Sequence, residues 1–299
     1  MSQATTTYRV THRTEYEYEY EVTSSYGQLH LLPRDLPGQR CLSAELTIDP
    51  VAEDYRERVD YFGNRVSYLA IHQPHHALTV TASSLVEVAE HPRGVPLVGR
   101  LPWEHVRDAV RDGRVSNPVE ATQFVLDSPL VELGEAYRMY ASASFTPGRD
   151  LLEAVSSLSA RVRADFTYEP GSTSVTTALA HVFEQRKGVC QDFAHLGIAC
   201  LRSLGLPARY VSGYLETDPP AGLPKLTGVD GSHAWLSVLV PDVGWVDIDP
   251  TNDQFVNGRY IVTAYGRDYR DVPPMNGVIY TEGRTESLRV VVDVVAVAA

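Results

Sequence analysis

Basic charge is what this sequence is shortest of. Its 26 Lys and Arg face 38 Asp and Glu, a formal net charge of −12 with histidine neutral. Such an acidic excess repels a phosphate backbone, so nucleic acid is not an expected partner. Cysteine is scarce as well. Cys41, Cys190 and Cys200 are odd in number and show no C-x-x-C spacing, which argues against a disulfide framework and against a zinc ribbon. Free thiols suit a reducing compartment. No stretch reaches the roughly 18 apolar residues that a membrane span needs. The longest apolar run, Val290 to Ala299, is short and broken by Asp293. Met1 to Thr14 holds neither an apolar h-region nor a cleavage signal. The expectation is a cytoplasmic protein without membrane contact. There is no internal repeat either.

What is present is ordinary globular material. Apolar residues make up 43% and charged residues 21% of 299 positions, which excludes disordered, collagen-like and disulfide-scaffold classes. The length is comfortable for two domains, each with a core that needs no covalent staple. From Glu15 the chain alternates strictly. Tyr16, Tyr18, Tyr20 and Val22 fall on one face, Glu15, Glu17, Glu19 and Glu21 on the other, the period of a half-buried strand. Leu42 to Ile48, Arg65 to Ile71 and Ala77 to Val88 also read as strands, separated by turn signals at Pro37-Gly38, Pro50, Gly63-Asn64 and Pro74. Asp60 to Asn64 marks a tight hairpin. The first hundred residues therefore predict an antiparallel β-sandwich or small barrel.

The character changes near Pro92 to Pro102. Helical periodicity follows in Val119 to Phe124, Leu130 to Met139 and Leu151 to Arg163, and a helix is expected over Thr176 to Arg186. A mostly buried helix runs from about Cys190 to Leu204, ended by Gly205 and Pro207. Strands follow over Ala208 to Leu215, Ser232 to Val240 and Gly244 to Ile248, then Tyr260 to Ala264, and a last strand over Ser287 to Val297. The expected units are residues 1–105, 106–270 and a C-terminal strand extension, 271–299, packing on one of the two. The whole is an α+β protein.

Cys190 sits just after Gly188, in the first turn of its helix. There the dipole and unpaired amides favour an anion, so the thiol is expected to be acidic and nucleophilic. Its own N–H is placed to face an oxyanion on an attacked carbonyl. A lone helical cysteine is more often a small core residue, the reading given to Cys200, and Cys41 reads as structural too. His233 heads one strand and Asp249 ends the next, joined by the short turn at 241–244. An Asp249 that accepts from His233 Nδ1 leaves Nε2 free for Cys190. Singly, each residue has a plainer reading: a turn marker, a surface histidine, a packed thiol.

Together they resemble a known family. Arg186-Lys187-Gly188-Val189-Cys190-Gln191-Asp192-Phe193-Ala194, Leu206-Pro207-Ala208-Arg209-Tyr210-Val211-Ser212-Gly213-Tyr214, His233-Ala234-Trp235 and Gly244-Trp245-Val246-Asp247-Ile248-Asp249-Pro250-Thr251-Asn252 closely resemble the bacterial transglutaminase-like family. The family's Cys, His and Asp fall on Cys190, His233 and Asp249. The β-rich start, with Asp60 to Asn64, and the tail Gly266 to Pro274 resemble the branch that carries an N-terminal β domain. The resemblance implies a papain-like core, a nucleophile helix packed on an antiparallel sheet that carries His and Asp. It also implies thioester chemistry on a peptide or small amide substrate, resolved by water in a peptidase or amidase, or by an amine in a transferase. Bacterial members of this layout are commonly thought of as peptidase-like.

Weaker features are a second oxyanion donor, with Tyr168 or Gln185 as candidates, and Gln191 and Trp235 as residues that could line the site. His72, His75 and His76 read as an exposed loop cluster, and Arg267-Asp268 as a local salt bridge. His181 and His195 lack a zinc-ligand spacing, so no metal and no cofactor are expected.

Overall fold

The computed structural model describes residues 4–89, 101–217 and 231–297. In chain order it begins with six strands: β1 Thr5–Val22, β2 Ser24–Leu29, β3 Gln39–Asp49, β4 Asp54–Val59, β5 Arg65–Ile71 and β6 His75–Ala89. Four helices follow, α1 Trp103–Arg111, α2 Pro118–Gln123, α3 Glu135–Ser142 and α4 Leu151–Asp165. Next come β7 Thr167–Tyr168, α5 Leu179–Gln185, β8 Lys187–Gly188 and α6 Cys190–Ser203. The remainder is strand: β9 Ala208–Leu215, β10 Ser232–Val240, β11 Gly244–Asp249, β12 Gln254–Phe255, β13 Tyr260–Gly266, β14 Met275–Tyr280 and β15 Thr285–Val297. The fold is α+β, as the sequence predicts. No helix among the described residues is long and apolar enough to cross a membrane.

Two four-stranded antiparallel sheets, β15-β1-β6-β3 and β14-β2-β5-β4, make the N-terminal module. They face each other across one core. Tyr18, Val22, Leu78 and Val80 from the first sheet meet Leu29, Leu69 and Ile71 from the second. The alternation read from Glu15 holds for Tyr18 and Val22 but is interrupted at Tyr20, which is 51% exposed where the ladder with β6 breaks between Glu17 and Val22. The C-terminal strands belong to this module: β14 pairs with β2, and β15 with β1. His75 departs from the exposed cluster expected around Pro74. It is buried at the start of β6, bonded to Ser25 Oγ at 2.9 Å and to the Gln73 carbonyl at 2.8 Å.

The second module is a five-stranded antiparallel sheet, β12-β11-β10-β9-β13, with α6 laid against it. Phe193, Leu196, Ile198, Ala199 and Leu201 of α6 join Leu236, Val238, Val246 and Ile248 of the sheet and Val155, Leu158 and Val162 of α4 in one core. Buried Arg202 ties the far end of α6 to loops on every side. It donates to the carbonyls of Ala208, Leu126 and Arg267. Arg267 itself pairs with Asp271 at 2.8 Å and not with Asp268, whose carboxylate accepts from the Leu130 and Arg270 amides.

Strand β13 is an edge, and an open edge leaves backbone groups unpaired. Two side-chain amides from the N-terminal module close it. Gln39 accepts from Val262 N–H and donates to Val262 C=O, both at 2.8 Å. Asn64, from the predicted Asp60–Asn64 turn, does the same for Tyr265, again at 2.8 Å each way. Each amide imitates one more strand residue. Asn64→Ala is therefore expected to cost roughly 2–4 kcal/mol, since it strands two buried backbone groups. Tyr61→Ala on the same turn, where the ring is exposed, should cost less than about 0.5 kcal/mol. Urea denaturation midpoints of the two variants check the contrast.

Candidate active site

Cys190 is the first residue of α6. The chain reaches it through a turn that begins with Arg186 in the left-handed region at φ 57°. Asp192 fixes the turn: its buried carboxylate accepts from the Val189 amide at 2.8 Å and from Thr173 Oγ1 at 2.6 Å. Gly188 must be glycine, because a Cβ there would sit 2.8 Å from the Asp192 side chain. Burial pushes the Asp192 carboxyl up, against the pull of those two donors. The first helical bond runs from Phe193 N–H to the Val189 carbonyl, which leaves the Cys190 amide outside the helix ladder. Cys190 is half-buried, whereas Cys200 lies in the core, its thiol pushed up to about 12 by burial. Cys41, on β3, is raised by burial too.

Register places the partners. Leu236 stands opposite Ile248, so one step further Trp235 stands opposite Asp249, and His233 reaches that carboxylate diagonally. The contact is 2.7 Å, and it runs from His233 Nε2 to Asp249 Oδ2. The two ring nitrogens are thus exchanged relative to the sequence expectation. Nε2 serves Asp249, which leaves Nδ1 as the nitrogen available to Cys190, whose sulfur also acts on the ring. A diagonal approach along the strand presents the far nitrogen of the ring to the acid, which register alone does not reveal.

Asp249 is wholly buried and saturated with donors. Besides His233, Oδ2 accepts from Asn252 Nδ2 at 2.6 Å and Tyr260 OH at 2.8 Å. Oδ1 accepts from the amides of Thr251 at 2.8 Å and Asn252 at 3.3 Å. Burial works to raise this carboxyl, but the donors win and hold it below its usual range. His233 shows the complementary balance. Burial would lower it, yet hydrogen bonds to Asp249 and Cys190 and the charge of both raise it from 6.5 to about 10.

The remaining expected residues separate. Trp235 is fully buried and packs beside His233 with ring centroids 6.0 Å apart. Its indole N–H is spent on Asp247 at 3.2 Å, so it supports the histidine and offers nothing to a substrate oxygen. Tyr168 stands near the site: the charges of Cys190 and Asp249 add to burial in raising its phenol. Gln185 is exposed at the end of α5. Gln191 turns its amide to the Val175 carbonyl at 3.2 Å. His195 is buried, accepts from the Tyr269 amide at 3.1 Å, and is lowered by burial to about 4. Among the described residues no three His, Cys, Asp or Glu are grouped to hold a metal ion. Tyr260, whose hydroxyl also accepts from Gln254 at 2.6 Å, was not among the expected residues. Nothing in its strand pattern marks it. Asn252 had a signal: Asp249-Pro250-Thr251-Asn252 is a sequence that folds its own carboxylate onto the following amides.

Residues 8–87 match the family described as the bacterial transglutaminase-like N-terminal region, and residues 138–250 match the transglutaminase-like superfamily. The chain is 48% identical over 294 residues to an uncharacterized Mycobacterium tuberculosis protein, covering 96% of this chain and 92% of that one. It is 34% identical over 292 residues to an uncharacterized Mycobacterium leprae protein, covering 97% and 99%. Over 87 residues it is 34% identical to a protein-glutamine gamma-glutamyltransferase of Pseudomonas aeruginosa, 29% of this chain and 13% of that protein. A solved Cytophaga hutchinsonii structure, described as a candidate cysteine protease, shares the fold over 99% of this chain and 92% of that one, with a TM-score of 0.74 at 18% identity.

The raised His233 carries a pH signature. A group whose pKa is higher folded than unfolded contributes stability that is full below the unfolded value and lost as pH rises through the folded one. The His233–Asp249 pair should therefore stabilise fully below about 6.5 and progressively less up to about 10. The difference in melting temperature between the unaltered chain and His233→Gln should be largest near pH 6 and shrink toward pH 10. A difference that ignores pH across that window would contradict the pairing.

Proposed function

We propose that this chain, which belongs to the transglutaminase-like superfamily, is a cysteine-dependent hydrolase of amide bonds working through a thioester on Cys190. The observation that carries the reading is the 2.7 Å contact of His233 with a buried, donor-saturated Asp249, on a ring whose other nitrogen is left to a cysteine at a helix start.

The reaction divides into two transfers. The Cys190 sulfur attacks the carbonyl carbon, and the C=O pair moves onto oxygen. The free Cys190 amide at the start of α6 is the group to receive that oxyanion. His233 gives its Nδ1 proton to the leaving nitrogen, the C–N bond breaks, and an amine departs from the acyl-enzyme. Water then attacks the thioester and gives a proton to Nδ1. The C–S bond breaks, an acid leaves, and the starting ion pair returns. Asp249 stays ionised throughout, holding Nε2–H and the ring orientation, the role of the acid in a nucleophile–base–acid triad.

A primary amine in place of water makes a new amide by the same steps. The stretch of similarity to the Pseudomonas aeruginosa gamma-glutamyltransferase supports keeping that outcome in the test. The balance turns on water exclusion and on an amine groove. Three free cysteines and a thiol nucleophile fit a reducing cytoplasm, the compartment we propose.

Products decide between the branches. The chain is incubated with glutaminyl and isopeptide-bearing peptides, with and without a primary amine, and acid, ammonia and new amide are read by mass spectrometry. The expected result is acid, little diverted by amine, with a loss of about a thousandfold or more in Cys190→Ala. Predominant capture by amine would make the chain a transferase. Product formation indifferent to Cys190→Ala would sink both.

A further inference from the structure

Arg209 is the charged group that this chemistry leaves unused. It lies on β9 opposite Ser237 of β10, four residues before Gly213, which pairs with His233. Its guanidinium is stacked between two rings, 3.5 Å from the Tyr265 centroid and 4.4 Å from that of Trp245. The residue is only 9% exposed, and its Nε has no hydrogen-bond partner among the described residues. Asp247 and Glu120 attract it from a distance. Neither hydrogen-bonds to its Nε. Asp247 accepts from Ser237 and Trp235, and Glu120 from Asn117 and Trp245. Arg34 stacks on the same Tyr265 ring at 4.5 Å and adds a second positive charge. A buried guanidinium donor without an acceptor is costly, and native proteins rarely leave one so.

A cavity of about 390 Å³ opens over this group. It lies where the two modules meet, a usual place for small-molecule sites of this size. Phe62 and Gly63 come from the β4–β5 turn, Val119 and Phe124 from α2 and its end, Tyr265 from β13. With Tyr265 and Trp245 packed against the guanidinium, binding falls to its N–H edge. That edge is a planar fork of donors, the geometric match of a carboxylate. One such fork beside Glu120 suits a single negative charge better than a phosphate. The Phe62 and Phe124 rings, 6.1 Å apart, supply apolar walls.

We infer that this cavity binds a carboxylate carried on an apolar body, the acid at Arg209 and the body against Phe62 and Phe124. The site stands about 13 Å along β9 from the row of His233, at about 3.3 Å per strand residue, and is separate from Cys190. It does not depend on the proposed reaction. Two sources share the chemistry, a small free acid and the C-terminal end of a peptide.

Calorimetry on the full-length Cys190→Ala chain, which cannot turn the probes over, separates them. The probes are N-acetylphenylalanine, an N-acetylated tetrapeptide ending in Phe, and the C-terminal carboxamide of each. At least one acid should bind roughly tenfold or more tighter than its carboxamide, the usual value of a hydrogen bond to a charged group. If the small acid binds as well as the peptide acid, the ligand is a free acid. If only the peptide acid binds, the ligand is a chain end. Arg209→Lys should remove the preference for acid. Val119→Asp adds a like charge at the rim, at a position 75% exposed, and should weaken the acid without disturbing the fold, so it decides the matter if Arg209→Lys does not fold. Acid and carboxamide binding alike, neither acid binding at millimolar concentration, or acid affinity unmoved by Val119→Asp overturns the inference.

Discussion

A wholly buried carboxylate, Asp249, holds the site together. Its two oxygens collect five donors, from His233, Tyr260, Asn252 and the two amides that follow Pro250. An ion placed out of water without such partners is far too costly to keep, and the loss of one partner typically costs about 3–5 kcal/mol. The donors arrive from β10, from the turn after β11 and from β13, so the carboxylate can be satisfied only if the sheet is correctly assembled. Fold and site are therefore one constraint. The same oxygen that fixes the sheet also fixes the ring of His233.

That constraint reaches the N-terminal module through β13. Tyr260 lies at the start of this strand and bonds Asp249. Val262 and Tyr265 on the same strand are closed by Gln39 and Asn64. Apolar contact runs alongside, with Tyr8, Val10, Val292 and Val294 of the sandwich packed against Tyr214 and Ile261 of the sheet. The β-sandwich thus acts on the geometry of the site by completing the edge that carries Tyr260. The cavity over Arg209 lies on this same junction, which gives the two modules a reason to meet beyond stability.

Much of this was legible in the sequence because it is written in local periods. The tyrosines of β1 alternate, α6 is bounded by Gly188 and by Gly205 and Pro207, and Pro241 to Gly244 closes the β10–β11 hairpin. Cys190, His233 and Asp249 stood out only together with the blocks that flank them, through the family those blocks resemble. What was not legible depends on tertiary approach. Strands β2 and β4 are short and polar, and are defined by their pairing with β5. Trp235 looked as ready to line a cleft as to pack, and only the position of Asp247 turned its N–H inward. Tyr260 is one aromatic residue in a strand until the sheet brings it to Asp249. The choice of His233 nitrogen likewise follows from a diagonal reach that no single-strand pattern encodes.

The account stands on the state of one ring. Nitrogen-15 NMR of the histidine side chains, assigned by comparison with His233→Gln, reads that state directly. At pH 8 His233 should be an imidazolium with both nitrogens protonated, its Nε2 proton held by Asp249, and it should titrate near pH 10. A neutral His233 ring at pH 8, titrating near the usual 6.5, would contradict the account.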